Sequence, residues 1–376
     1  MTATPARDKS TNQRLGKLRG RMAELGLDAV FISQPQNRRY LSGFTGSAGN
    51  LLITVADAVI ATDFRYYEQS AQQAPDFRLH QATGPMEGWL PGLLTAAGDL
   101  GGKRLGFESA DLTFLLYRSL RKAVEALPAG QRPRLIAVTS LVEGLRAIKE
   151  PEELAAIQAA VDLGDAALRH VSGRIEPGWT EKQAAWEIEK HMRENGGESV
   201  SFDTIVAGGP WSAMPHAYPR DRALERGEMV VIDMGVRLNG YCSDLTRTLF
   251  LGKPDDRFER VYDIVLGAQL TAEELVQAGM NGEEAHNLAH RVIEEAGYGE
   301  NFGHGLGHGV GIEVHESPRL NQESDIVLQE GMVITIEPGI YLPKRGGVRI
   351  EDLVVVTKKG CEMITRSPKE LKVLAA

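Results

Sequence analysis

Apolar positions alternate between helical and extended spacing up to about residue 140. Leu15, Leu18, Met22 and Leu25 recur at helical intervals, Ala29–Ile32 is a short apolar run, and residues 50–61 read as two strands joined near Asp57. Further strands are predicted at 104–108 and 134–138, with helices around 65–74, 86–97 and 112–126. This is the signature of an α/β domain, assigned here to residues 1–145. Lys149-Glu150-Pro151-Glu152-Glu153 then offers a proline suited to a first helical turn and acids suited to a helix amino end. Leu154, Ile157, Val161, Leu168 and Val171 mark one face of that helix, which opens a second domain at 146–376.

In the second domain the order helix, helix, strands occurs twice. Thr180 with Gln183 forms a capping-box pattern before a second helix; Phe258, Val261, Val265 and Ala268 begin a third; Asn281 with Glu284 opens a fourth that carries Leu288 and Val292. Two extended stretches, 226–235 and 330–339, repeat each other at an offset of 104 residues and put Asp233 and Glu337 in equivalent seats. Each runs through a turn into a second strand bearing another acid: Asp244 beyond Asn239-Gly240, and Glu351 beyond Arg345-Gly346-Gly347. Two similar halves packed together create a cleft at their junction, where ligand sites tend to lie.

With Asn239-Gly240 as a two-residue hairpin loop, residue 233 pairs with 246, and Asp233 and Asp244 become diagonal neighbours on one face. Buried without a partner, such a pair repels itself until one acid keeps its proton; a shared cation removes the conflict. By strand alternation Arg349 shares a face with Glu351 and can orient a carboxylate ligand. Between the hairpins, Phe302-Gly-His304-Gly-Leu-Gly-His308-Gly-Val-Gly-Ile-Glu-Val-His315 has too much glycine for a helix, so His304 and His308 are not a helical pair. His216 can join these three histidines. One imidazole and four carboxylates suit two divalent cations, with two acids bridging. The oxygen-rich set favours manganese and also admits cobalt, iron or zinc. Such a pair activates water and polarises a carbonyl or phosphoryl oxygen, which points to hydrolysis.

Charge and composition narrow the alternatives. A formal charge of −9 without a basic block excludes a phosphate-backbone binder and gives no attraction to membranes. Cys242 and Cys361 are too few and too isolated for a disulfide scaffold or thiolate cluster. The polar amino terminus lacks the apolar core of a secretory signal and no apolar run reaches membrane-spanning length, so the expected location is cytoplasmic. Gly43, Gly46 and Gly49 are spaced unlike any nucleotide-binding fingerprint.

The second domain resembles the creatinase and methionine aminopeptidase superfamily, the pita-bread metallopeptidases, and specifically the Xaa-Pro peptidases, aminopeptidase P and prolidase. The resemblance is carried by Ile232-Asp233-Met-Gly, Gly240-Tyr-Cys-Ser-Asp244-Leu-Thr-Arg-Thr, Gly303-His304-Gly-Leu-Gly-His308-Gly-Val-Gly, Val314-His315-Glu, Ile336-Glu337-Pro-Gly-Ile-Tyr341 and Val348-Arg349-Ile-Glu351-Asp. Tyr40-Leu-Ser-Gly-Phe-Thr-Gly-Ser and Thr62-Asp-Phe-Arg65 resemble the amino-terminal domain of small bacterial relatives. The implied fold is a creatinase-like α/β domain followed by a pseudo-symmetric pita-bread α+β catalytic domain. The resemblance also implies that Asp233 binds one metal, His308 and Glu337 the other, and that Asp244 and Glu351 bridge. It makes Glu337 the acceptor of the water's proton, places His216 and His304 on substrate, has His315 assist at the tetrahedral intermediate, and puts Tyr341 and Arg349 behind the ligands. The implied reaction is cleavage between an amino-terminal residue and a following proline in small peptides, by a homodimer or larger oligomer. A prolidase restricted to dipeptides is the alternative; methionine aminopeptidase, a metal-free creatinase-like amidohydrolase and a noncatalytic binding protein fit less well.

Overall fold

The computed structural model describes residues 9–374. The chain divides into two compact units, Met1–Arg146 and Ala147–Ala376. The first contains α1 (Lys9–Glu24), β1 (Ala29–Ile32), α2 (Pro35–Ser42), β2 (Asn50–Thr54), β3 (Ala58–Thr62), α3 (Tyr67–Gln73), β4 (Arg78–Gln81), α4 (Met86–Ala96), β5 (Arg104–Glu108), α5 (Phe114–Glu125) and β6 (Arg134–Val138). Its strands form a mixed sheet in the order β4-β3-β2-β1-β5-β6. The central strand β1 is buried along its whole length, because helices cover the sheet on both sides. Two elements absent from the hydrophobic pattern, α2 and β4, are polar in sequence. α2 buries Asn37, whose amide donates to Glu108 Oε1 (2.7 Å) and Glu143 Oε1 (2.8 Å), so it packs through hydrogen bonds that apolar spacing cannot reveal. A short helix, α6 (Glu143–Ala147), leads into the second unit.

That unit opens with α7 (Pro151–Ser172) and α8 (Glu181–Glu194). Pro151 occupies the first turn of α7, and Glu150 forms a capping box with Glu153. The strands are β7 (Ser199–Val200), β8 (Ile205–Gly208), β9 (Met229–Met234), β10 (Val236–Leu238), β11 (Tyr241–Cys242) and β12 (Leu245–Leu251). After α9 (Asp256–Leu275) and α10 (Gly282–Glu295) come β13 (Gly307–Gly309), β14 (Glu316–Leu320), β15 (Val333–Ile336), β16 (Gly339–Leu342), β17 (Gly346–Arg349), β18 (Asp352–Thr357), β19 (Gly360–Met363) and β20 (Lys372–Leu374). The antiparallel run β8-β9-β12 recurs as β13-β15-β18. The duplication reaches the caps. Thr180 and Asn281 both form capping boxes, and each also makes an isolated bridge, to Ala223 and to Val327 respectively.

Each half buries its helices on its own sheet. Leu168, Val171 and Ile188 pack with Val206, Val230 and Ile232 in the first; Val261, Val265 and Ala289 pack with Ile334, Ile336 and Val354 in the second. The first hairpin turns at Asn239 (φ 52°) and Gly240 (φ 77°), two successive positive φ values that suit a tight right-twisted hairpin, and this turn sets Asp233 opposite Thr246 as the sequence predicts. Neither hairpin is a continuous ribbon, however. The ladder breaks at Ser243-Asp244 and at Ile350-Glu351, where each ribbon passes into a separate small sheet. Pro338, opposite the second break, has no N–H to donate. Glu351 thus lies between strands, and its shared face with Arg349 does not follow from simple alternation.

The halves are stitched together along β12. Glu351 N donates to Thr246 O (3.1 Å), and Thr248 Oγ1 both donates to Arg349 O (3.0 Å) and accepts from Arg349 N (3.1 Å). On the opposite side of the strand, fully buried Arg247 pairs with Asp352 Oδ1 (2.7 Å) and donates to the carbonyls of Glu351, Ser367 and Pro368. Among the described residues no helix is long and apolar enough to cross a membrane. Arg247→Ala strands these buried acceptors, and a loss of about 3–5 kcal/mol is expected. Urea unfolding of the variant against the parent protein measures it.

Candidate metal centre

The two β-ribbons bring four carboxylates to one place. Asp233 comes from β9, Glu337 follows β15, and Asp244 and Glu351 occupy the two breaks. Three of the four acids are held by hydrogen bonds from their own half or from the other. Thr246 Oγ1 donates to Glu351 Oε2 (2.8 Å), Thr335 Oγ1 to Glu337 Oε1 (3.3 Å), and Arg349 Nη2 to Asp233 Oδ2 (2.6 Å).

Burial and mutual repulsion set the protonation. Asp244 is held well above the ordinary carboxylate range, first by burial and then by Glu351, Asp233 and Glu337. Glu351 is raised in the same way by burial, Glu337 and Asp233. Glu337 is pushed up to about 7, chiefly by burial. The cation bonded to them is Arg349, whose burial disfavours its charge but whose neighbours Tyr341, Asp233 and Glu337 more than compensate. Its Nη1 also donates to Tyr341 OH (2.8 Å), which lies 2.9 Å from His304 Nε2. Arg349, Tyr341 and His304 form one chain of polar contacts running away from Asp233.

His308 completes the donor set. Its ring Nδ1 lies 3.1 Å from Gly309 O and is the donor in that contact. Nε2 is left with a lone pair facing Glu337 Oε1 (3.4 Å) and Asp244 Oδ2 (3.6 Å). Burial and the neighbouring His315 depress its pKa to about 3, so the ring is neutral near pH 7. The flanking glycines have a packing reason: a Cβ on Gly307 would collide with Thr335 O, and one on Gly309 with Ser317 O. Adjacent strands crowd β13 from both sides and fix the imidazole between them.

This donor set fits divalent cations. Asp244, His308 and Glu351 each offer an atom within 4.8 Å of the other two, and Asp233 Oδ1 is buried without a hydrogen-bond partner. Several oxygens and one nitrogen can therefore surround a positive ion at a point where the chain itself supplies too little positive charge.

The centre opens into a cleft of about 400 Å³ whose lining includes His216, His304, His315 and Arg319. His315 lies edge-on to His308, with ring centroids 4.4 Å apart. Tyr341 and Arg349 stand behind the acids. All the residues singled out in the sequence thus gather at one place. Arg319 is an addition: it sits on β14 directly opposite His308 and forms no ion pair among the described residues. Its sequence signal was its place four residues beyond His315, in a short strand that returns beside the histidine segment.

Residues 155–358 match metallopeptidase family M24, and residues 14–148 match the creatinase/prolidase amino-terminal domain. The chain belongs to metallopeptidase family M24. An Xaa-Pro dipeptidase of Pyrococcus furiosus is 37% identical over 96% of this chain and 99% of that protein. The solved structure of an Xaa-Pro dipeptidase from Bacillus anthracis matches with a TM-score of 0.91 at 41% identity, covering 97% of this chain and 100% of the other. An X-Pro aminopeptidase from Thermotoga maritima matches at 0.86 and 36%, covering 96% and 99%. The family and the two-domain fold expected from the motifs are therefore those found, and an M24 protein is a metallo-exopeptidase that works with divalent metal ions.

In the M24 centre stripped of metal, the raised acids determine the pH response. Well above pH 6.5, the ordinary histidine value, the depressed histidines are neutral folded or unfolded. Glu337 keeps its proton to about 7, and Asp244 and Glu351 are held well above the ordinary carboxylate range, whereas unfolded carboxylates have lost their protons. The folded state then binds more protons, so stability falls with rising pH. Thermal unfolding of chelated protein should move to lower temperature between pH 7 and 8, and manganese should abolish the trend.

Proposed function

We propose that this M24 peptidase is an Xaa-Pro dipeptidase that holds two divalent cations, with manganese the favoured ion. The observation that carries the dipeptide reading is Arg319, an exposed guanidinium on the cleft wall with no carboxylate partner among the described residues. In a dipeptide the terminal carboxylate lies a fixed, short distance from the scissile carbonyl, within reach of a guanidinium on the same wall. In a longer peptide that charge is displaced. The names of the relatives from Pyrococcus furiosus and Bacillus anthracis support the same substrate class.

Asp233 would hold one ion, His308 and Glu337 the other, with Asp244 and Glu351 shared between them. Bound there, the ions supply an acidified water and a polarised carbonyl. The chain's residues do the remainder. Glu337 is placed to accept the proton of the attacking water, since burial already gives its carboxylate a high proton affinity. His315, on the open side of His308, donates a hydrogen bond to the oxygen that gains charge as the carbonyl becomes tetrahedral. His216 and His304 flank the peptide, and the Tyr341 hydroxyl joins His304 to Arg349, which keeps Asp233 aimed inward. Proline fits because its tertiary amide lacks the N–H that peptidases commonly bind.

An Xaa-Pro aminopeptidase acting on longer peptides is the second reading, favoured by the motifs and by the similar Thermotoga maritima structure. Release of free amino acid from Xaa-Pro and from Xaa-Pro-Xaa, each assayed with manganese, separates them. The proposal expects the dipeptide to be turned over at least tenfold more efficiently; comparable cleavage of the tripeptide sinks it. Arg319→Ala should raise KM for Xaa-Pro tenfold or more, roughly the value of one charge-assisted hydrogen bond or above, with kcat less affected. Asp244→Ala and Glu351→Ala should each lose bound metal together with activity, read by elemental analysis. His315→Ala should keep its metal and lose about 10²–10³ in kcat.

A further inference from the structure

Outside the cleft, α10 carries two histidines one turn apart, His286 and His290, with ring centroids 5.4 Å from each other. His286 is only 2% exposed, and neither of its ring nitrogens has a hydrogen-bond partner among the described residues. A buried imidazole left unsatisfied at both nitrogens is costly and calls for a partner. The helix neighbours offer none, since Ala285, Ala289 and Ile293 are apolar, and Phe302 covers the ring by stacking at 5.4 Å. His286 lines a cavity of about 300 Å³ together with Phe302, the segment Gly303–Gly305 and the segment Asn321–Glu323, which gives it a route to solvent. His290 lies nearer the surface, its side chain 19% exposed, and Glu294 Oε2 stands 3.9 Å from its Nδ1.

We propose that His286 and His290 form a second metal site, one for a borderline transition ion such as Zn²⁺, distinct from the carboxylate centre. Residues four apart on a helix present their rings on one face, and this spacing lets two imidazoles chelate one ion. A centroid separation of 5.4 Å leaves room for an ion between two ring nitrogens. Burial depresses the pKa of His286 to about 4, so its donor nitrogen is unprotonated at neutral pH. Glu294 supplies a carboxylate 3.9 Å from His290 Nδ1, near enough to favour a bound cation, and water fills the remaining positions. The two sites differ in chemistry. Four carboxylates with one imidazole suit a hard ion, whereas a pair of imidazoles prefers zinc, nickel or copper. The chain would therefore sort ions between them by ligand chemistry, although His304 lines both the cleft and the His286 cavity.

The test uses the full chain saturated with manganese and dialysed to equilibrium against a fixed concentration of Zn²⁺, with bound zinc counted by elemental analysis. Wild-type protein should carry one more equivalent of zinc than His290→Ala, and His286→Phe, which keeps a ring in the buried position, should show the same deficit. Manganese-supported hydrolysis by His290→Ala should be unchanged, which shows that its fold is intact. Equal zinc counts in wild type and both variants overturn the proposal. The count does not depend on turnover, so it stands or falls separately from the dipeptidase assignment.

Discussion

Four carboxylates converge on a buried point where, among the described residues, Arg349 is the guanidinium bonded to them. That electrostatic imbalance is the constraint to which the surrounding structure answers. Without a cation the acids relieve it only by keeping protons, as the raised values for Asp244, Glu337 and Glu351 record. The fold holds them in place regardless. Thr246 and Thr248 tie the two halves together across β12, Thr335 holds Glu337, and Arg349 pins Asp233 while anchoring Tyr341. Breaking both ribbons at Asp244 and Glu351 frees these two acids from the ladder to point between the halves. Local hydrogen bonding is sacrificed at the places where the site needs side-chain freedom.

Much of this was legible in the sequence because the deciding signals are short-range. Asn239-Gly240 specifies a tight hairpin, the hairpin specifies the pairing of 233 with 246, and the repeat carries the inference over to Glu337. Glycine alternation around His308 excluded a helix on propensity alone. The same glycines left open what approaches them; the answer, strands on both sides of β13, depends on partners distant in sequence. Arg319 escaped notice for a similar reason. A single arginine in a short strand looks like surface charge until the antiparallel register sets it opposite His308. In the first domain, α2 was hidden because its eight residues bury Asn37, bonded to its acidic partners, beside Tyr40 and Leu41, too few apolar positions to show a helical period.

The two halves also show how far duplication extends and where it stops. Capping boxes, isolated bridges and three-stranded sheets recur in both. These features serve stability, and each half needs them equally. The catalytic equipment departs from the pattern: both acids of the second half are one methylene longer, and the glycine-rich strand belongs to that half alone.

The sheet registers show what that departure means. Gly208 pairs with Val230 in the first half and Gly309 with Ile334 in the second, equivalent contacts in the repeat, so the seat of His308 is taken in the first half by Ala207. A truly twofold pocket cannot distinguish the two ends of a peptide, because turning the peptide round gives the same fit. An imidazole in one half with no counterpart in the matching seat of the other removes that degeneracy. Direction along the substrate chain, the property that separates trimming from one end from cutting anywhere, can thus arise in a copied fold from the divergence of a single pair of matched positions.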